Sequence, residues 1–290
     1  MSSFFQKENL IKYLLQGAAS TSIFIVLLIV LFLGKEAIPF FSEPGISNLF
    51  GTTWKPVSFK EELFGILPLI SGTVVVTIVA MFIAVPTGVI GAAYLSQVAH
   101  EKEREILKPF MELLAGIPSV VIGFFGLIIL APIVKELFGL QTGLSALTGS
   151  ILLALMAIPT IMTISDDAIS SVPRSYKEAS LSLGASKFYT LWKVTVPAAM
   201  PGIVAAVLLG MGRVIGETMA VMMVTGNAAN LTLSPFESVR TMTATIAAEM
   251  GEVPFGSEHY SALFMVGLVL MFMTFGLVLI GQRYLQRQEN

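Results

Sequence analysis

The chain has 290 residues, 55% of them hydrophobic and 12% charged, with a mean hydropathy of +0.83. A soluble domain carries about a quarter charged residues, so this composition points to an integral membrane protein. The net charge of −2 excludes a basic nucleic-acid face, and the absence of cysteine excludes disulfides and thiolate metal sites.

A helix crossing hydrocarbon needs about 20 mostly apolar residues, so charge-free intervals locate the spans. The first lies between Lys12 and Lys35, with an apolar core from Ile23 to Leu33. Lys7 and Lys12 ahead of that core resemble a secretory signal, but GKEAIPFF after it offers no small-x-small cleavage site, so the helix is expected to be retained. The second span is predicted at Leu69 to Leu95, with Pro68 and Pro86 able to bend it. Leu113 to Val134 gives the third, Leu137 to Ser165 the fourth and Tyr260 to Gln282 the last. The fifth, about Gly202 to Thr225, carries Arg213 and Glu217. The expectation is therefore an all-α, polytopic protein with six transmembrane helices. Residues 1–45 form the N-terminal segment and first helix, and 46–290 a five-helix core with a large loop at 166–201.

Orientation follows from lysine and arginine in the loops. With the N-terminus inside, Lys7, Lys12, Lys102, Arg104, Lys108, Arg174, Lys177, Lys187, Lys193, Arg283 and Arg287 are cytoplasmic, eleven in all. Lys35, Lys55, Lys60, Lys135 and Arg240, five in all, are outside. Both termini are expected in the cytoplasm.

Covalent chemistry finds little support. GMGRVIG (210–216) has three residues between its last two glycines, where a dinucleotide fingerprint has two, and no strand precedes it. No GxxxxGK[ST] occurs, so if the chain moves a solute uphill the energy is expected to come from elsewhere. His100 and His259 fall on opposite sides of the membrane and cannot share a metal; no cofactor is expected.

The cytoplasmic loop SDDAISSVPRSYKEASLSLGASKFYTLWKVTVPAAMPG is too patterned for a plain turn. Pro173 suits a helix start, Arg174 to Leu183 contains good helix formers, and Gly184 can take the left-handed conformation that ends the helix. A second helix follows from Ala185 to about Val196, before Pro197 and Pro201. Composition alone allows an amphipathic connector on the lipid surface or a docking element for a soluble partner. Glu178-Ala179-Ser180, three residues, Gly184, nine residues, then Val194-Thr195-Val196-Pro197 resembles the EAA loop of ABC-importer permeases, EAA-x3-G-x9-IxLP, and that resemblance implies the docking element. It departs from that pattern only at Ser180, Val194 and Val196. The resemblance implies the type I importer (MetI-like) permease fold, with Glu178, Ala179, Ser180, Gly184 and Pro197 in an element that seats on an ATP-hydrolysing subunit.

LFGTTWKP (49–56), MELLAGIPSVVIGFFGL (111–127) and LLGMGRVIGETMAVMMVTGN (208–227) further resemble phosphate-transport permeases of the PstC type. That resemblance implies inorganic phosphate as substrate, a cytosolic ATP-binding subunit dimer, a second related permease subunit and an extracytoplasmic phosphate-binding protein. Membrane lipid surrounds the chain, and no nucleic acid is involved.

Arg213 and Glu217 need a reason, because each costs roughly 2.5–3.5 kcal/mol at the centre of a membrane helix. At i and i+4 of one helix they would share a face and pair. Ala206, Gly210 and Ala220 fall near that face, and Gly212 and Gly216 form a GxxxG that admits a close neighbour. A structural ion pair holding the bundle is one reading, although such a pair at best breaks even against apolar residues. The other is a substrate pathway: a guanidinium fork matches two oxygens of a tetrahedral anion, and Glu217 would serve as counter-ion when the anion is absent. Permeases for sulfate or molybdate, and an ion-driven secondary transporter or channel gated by the pair, are the alternatives. Glu112 reads as an interfacial carboxylate. In the last outer loop a helix is expected at about Phe236 to Met250, with Glu237, Glu249, Glu252 and Glu258 on a solvated face or against the binding protein.

Overall fold

The computed structural model describes residues 2–58 and 60–289, and the side chains of 11–42, 44–58 and 60–283. The side chains of Lys7 and Arg287, used in the charge count, lie outside the described residues. The described residues are mostly helical. The helices are α1 (Ser2–Phe40), α2 (Ile46–Leu49), α3 (Leu67–Gln97), α4 (Glu101–Ala115), α5 (Ser119–Phe125), α6 (Ala131–Phe138) and α7 (Ala146–Ser170). They continue with α8 (Arg174–Ser182), α9 (Lys187–Thr190), α10 (Val196–Ala198), α11 (Met200–Gly216), α12 (Met219–Val224), α13 (Met242–Glu249) and α14 (Glu258–Glu289). Two short strands, β1 (Trp54–Lys55) and β2 (Leu63–Phe64), pair antiparallel between α2 and α3.

Among the described residues, five stretches are long and apolar enough to cross a membrane: Ile11–Phe40, Leu67–Gln97, Ser119–Phe138, Ala146–Ser170 and Glu258–Arg283. The sixth is a bent pair, Lys187–Ala198 with Met200–Gly216, turning by 69°. The six-helix expectation stands, with altered borders. The third span begins at Ser119, because Gly116 and Pro118 break the chain after α4, which is amphipathic and carries Leu113. It crosses as α5 and α6, joined by a π-helical turn at Gly126–Leu130. The fourth begins at Ala146, capped by the Ser145 hydroxyl, which accepts from the Thr148 N–H at 3.3 Å. α3 continues through Pro86, and Pro68 sits in its first turn, where a missing N–H loses nothing.

α7 is the most enclosed span. Ala154, Ala157 and Ile161 on it are buried with Ala80 and Ala84 of α3 and Val214 of α11. Apolar lipid gives no hydrophobic drive for two helices to associate, so small residues that let backbones approach supply the packing. Gly210 of α11 illustrates this, since a Cβ there would stand 2.6 Å from Ile161 Cγ1. α1 packs on α14, with Phe32 edge-on to Phe264 at 5.6 Å between centroids, and otherwise presents apolar side chains outward.

The expected fifth span from 202 to 225 is not one helix. α11 ends at Gly216, Glu217 is extended (φ −67°, ψ 133°), and α12 starts afresh at Met219. The helix expected at Phe236 to Met250 is shorter, occupying Met242–Glu249. Its first turn is driven into the bundle: Met242 donates its N–H to Thr73 Oγ1 of α3 at 3.0 Å, and Met242 to Thr245 are buried. Gly72 makes room, because a Cβ there would stand 2.5 Å from the Arg240 carbonyl oxygen.

Candidate functional site

Arg213 lies in the last turn of α11, half-buried. Its Nη1 donates to Thr160 Oγ1 of α7 at 3.2 Å, and its Nη2 to the Ala115 carbonyl at the end of α4 at 3.0 Å. Among the described residues it forms no salt bridge, and the expected pairing with Glu217 does not occur. The reason is the helix break. Once residue 217 leaves the helix, the i, i+4 relation that would align the two side chains is gone.

Glu217 serves the break instead. Its Oε1 accepts from the Ala220 N–H at 3.2 Å, satisfying a donor at the start of α12. Its carbonyl, which the broken helix leaves unpaired, accepts from Thr243 Oγ1 of α13 at 2.8 Å. The Gly216 carbonyl accepts from Thr218 Oγ1 at 3.1 Å. Arg213 thus faces neutral oxygen partners beside a broken helix whose loose ends are tied to α13. Gly212 and Gly216 open onto space that no atom of this chain fills within 4 Å of a Cβ. Gly210 and Ala220, expected near the charged face, are buried against α7 and α5 respectively.

At the bundle end formed by 98–118 and 171–199, the expected pair of helices is present. α8 follows Pro173, and Gly184 takes φ +83°, the left-handed turn that ends it. Ser186 then caps α9, accepting from the Tyr189 N–H at 3.1 Å. The second helix is not uniform: a π-helical turn at Leu191–Thr195 separates α9 from α10. Ser180 Oγ and Thr190 Oγ1 are 2.9 Å apart and lock α8 to α9. Glu178, Ala179, Gly184 and Pro197 are exposed. Leu183 is 88% and Phe188 74% exposed, so this knuckle offers apolar surface beside a hollow of ≈ 760 Å³ lined by Ala179, Ser180 and Gly184.

Residues 100–288 match the model of a family described as binding-protein-dependent transport system inner membrane component. The chain belongs to that family of permeases. It is 41% identical over 265 residues to the probable ABC transporter permease protein YqgH of Bacillus subtilis (strain 168), covering 90% of this chain and 85% of that protein. Against the phosphate transport system permease protein PstC of Xylella fastidiosa (strain 9a5c) the identity is 35%, with 84% and 79% covered. The probable PstC of Methanocaldococcus jannaschii is 30% identical, with 92% and 91% covered. Among solved structures, the MetNI methionine ABC transporter in an inward-facing conformation superposes with a TM-score of 0.57 at 19% identity, over 77% of this chain and 94% of that one. A bacterial ABC transporter importing alginate gives 0.57 at 13%, over 90% and 95%. Those likenesses establish the importer-permease fold, and the family is one of multi-pass inner membrane components.

Two charged clusters in the permease escape sequence reasoning. In the first, Asp166 near the end of α7 is fully buried; it accepts from Arg104 Nη2 at 3.1 Å and Lys108 Nζ at 3.3 Å, both from α4. Lys108 also reaches Asp167 at 2.7 Å. The hydrogen bond to Asp167 raises the Lys108 ammonium above its usual range, against the opposing effect of burial. Glu112, on the same helix, is exposed. In the second cluster, Glu249 of α13 accepts from Arg240 Nη1, His259 Nε2 at 2.8 Å and the Trp54 indole at 3.2 Å. Burial pushes the Glu249 carboxyl up, but the His259 hydrogen bond, the Arg240 charge and Trp54 together hold it below the usual carboxylate range. Glu249 is therefore a half-buried anchor, not part of a solvated face. Its partners are 9, 10 and 195 residues away, beyond any helical spacing rule.

Proposed function

We propose that this permease is a transmembrane subunit of an ATP-driven importer of inorganic phosphate and forms half of its translocation pathway. A second related permease supplies the other half, a pair of cytosolic ATP-binding subunits supplies the energy, and an extracytoplasmic phosphate-binding protein delivers the ion. Both termini and the α8–α9 knuckle face the cytosol. The chain carries no catalytic role of its own.

The observation that carries this reading is Arg213: a permanent positive charge within the bent sixth span, held by Thr160 and Ala115 but neutralised by neither. A lone guanidinium in a bundle is costly unless an anion visits it. Phosphate at neutral pH is a mono- or dianion, and the guanidinium fork fits two of its oxygens. The partners already in place are single neutral hydrogen bonds, weak enough to exchange for the ion and then to release it. Glu217 caps α12 at the break and places a carboxylate one residue past the end of α11, where it limits how long the anion stays. The open face at Gly212 and Gly216 lies beside Arg213 and suits the approach of the second permease. Relatives named for phosphate transport at 30–35% identity over most of the chain support phosphate over other tetrahedral anions. Exposure of Glu178, Ala179 and Gly184 beside an apolar knuckle supports seating on the ATP-binding subunit through an element that includes Ser180 and Pro197.

Uptake of radiolabelled phosphate into vesicles containing the purified four-component complex tests this reading. Accumulation should require ATP and should resist excess sulfate and molybdate. Uptake driven by an ion gradient with no nucleotide, or displaced equally by sulfate, would refute it.

A further inference from the structure

α4 connects the two places where this transporter is proposed to act. It lies antiparallel to the last turns of α7. Near its start, Arg104 Nη2 reaches Asp166 at 3.1 Å and Ser170 Oγ at 3.2 Å, and Lys108 reaches Asp166 and Asp167 one turn further on. At its other end, about 16 Å away along the helix axis at about 1.5 Å per residue, the Ala115 carbonyl accepts from Arg213. Arg213 returns to α7 through Thr160, so both ends of α4 are tied to the same span. Its first turn is held as well, with Tyr94 of α3 donating to Glu103 at 3.0 Å.

α7 passes directly into the knuckle. Ser171, Val172 and Pro173 alone separate its last residue from α8, and Val172 is buried. A push on α8 therefore reaches Ser170 and Asp166 with little slack. Asp166 is the point where that motion meets α4: its side chain is 1% exposed and takes two cations from one helix. A buried carboxylate so placed is a costly way to hold a surface helix, since apolar residues of similar volume pack as well. Its directional bonds do what apolar packing does not, fixing the sliding register of α4 against α7.

We infer that α4 is the transmission rod between the ATP-driven knuckle and the Arg213 site, and that Asp166 is the positioning residue that engages it. This rests on the roles given above to Arg213 and to the α8–α9 knuckle. When the knuckle moves the end of α7, α4 follows through Asp166. The Ala115 carbonyl then moves relative to Arg213, freeing or recapturing one of its donors. The guanidinium is offered to phosphate in one position of the knuckle and withdrawn in the other.

The test uses the full complex in vesicles with inorganic phosphate. Asp166→Asn should lower the maximal uptake rate by about tenfold, with the phosphate KM changed less than about twofold, the pattern of a lost conformational step rather than lost binding. ATP hydrolysis should persist in that variant but lose its stimulation by the phosphate-loaded binding protein. Wild-type uptake by Asp166→Asn, or a raised KM with an unchanged maximal rate, would overturn the inference. If that variant fails to assemble, Lys108→Gln retains the Arg104 link and should still uncouple in part, with Lys108→Arg restoring the wild-type rate; full coupling in Lys108→Gln would equally overturn it. The two readings separate cleanly. Full uptake by Arg213→Gln removes the pathway reading, whereas a defective Arg213→Gln beside a normal Asp166→Asn removes only the rod.

Discussion

Glu249→Gln is the most informative test of how α13 is held. Glutamine keeps the shape of the side chain but removes its charge and one acceptor oxygen. It leaves Arg240, whose side chain is 19% exposed and whose Nε already lacks a partner among the described residues, without its counter-ion. Removing one partner of a fully buried pair costs about 3–5 kcal/mol. The three ionisable side chains here keep 12–19% of their exposure, which lowers the expected cost to roughly 2–3 kcal/mol after solvent screening. At about 2–4 °C per kcal/mol for a chain of this size, Tm should fall by roughly 5–10 °C. Trp54 donates to the same carboxylate, so its fluorescence in a Trp192→Phe background reports local opening directly. Removing both charges, with Arg240→Met and Glu249→Met together, should recover most of the loss. The Glu249 carboxyl sits below its usual pKa, so its contribution is complete above about pH 4.3 and disappears as pH falls through the lower folded-state value. The Tm gap between wild type and Glu249→Gln should therefore close in strong acid. A variant that melts with the wild type, or a double variant as damaged as the single one, would refute the reasoning.

Three further outcomes follow from single contacts. Gly184 has φ +83°, so Gly184→Val should strain the turn by about 1–2 kcal/mol and abolish stimulation of the ATP-binding subunit, while the complex still assembles as judged by co-purification. Thr243→Val removes the donor to the Glu217 carbonyl; the orphaned group should cost about 1–3 kcal/mol, read as faster proteolysis near the break between α11 and α12. Gly72→Ala would place a Cβ 2.5 Å from the Arg240 carbonyl, and overpacking of about 1–3 kcal/mol should lower Tm and quench the contact between α3 and the start of α13.

Much of this molecule is readable along the chain because its determinants are local. Apolar length locates the spans, and Pro173 with Gly184 frames α8, since a helix start and a left-handed stop need only their own residues. The break at Glu217 was not readable, because nothing near it in sequence forbids a helix. It is stabilised from afar, by Thr243 on α13 taking up the freed carbonyl. The same holds for Asp166: a carboxylate expected to lie past the end of a span continues the helix, because Arg104 and Lys108, some sixty residues earlier, neutralise it. An i, i+4 spacing predicted an ion pair between Arg213 and Glu217 only on the assumption of an unbroken helix. With the helix broken, Arg213 is left with neutral partners, which strengthens the case for an anion as its missing counter-charge.

Phosphate uptake by a complex carrying Arg213→Gln, with assembly and basal ATP hydrolysis verified beforehand, weighs most directly on that case. The guanidinium reading predicts that ATP continues to be consumed while phosphate accumulation falls by at least about a hundredfold, the loss of roughly 3 kcal/mol of charge stabilisation along the route. Accumulation at the wild-type rate would contradict it.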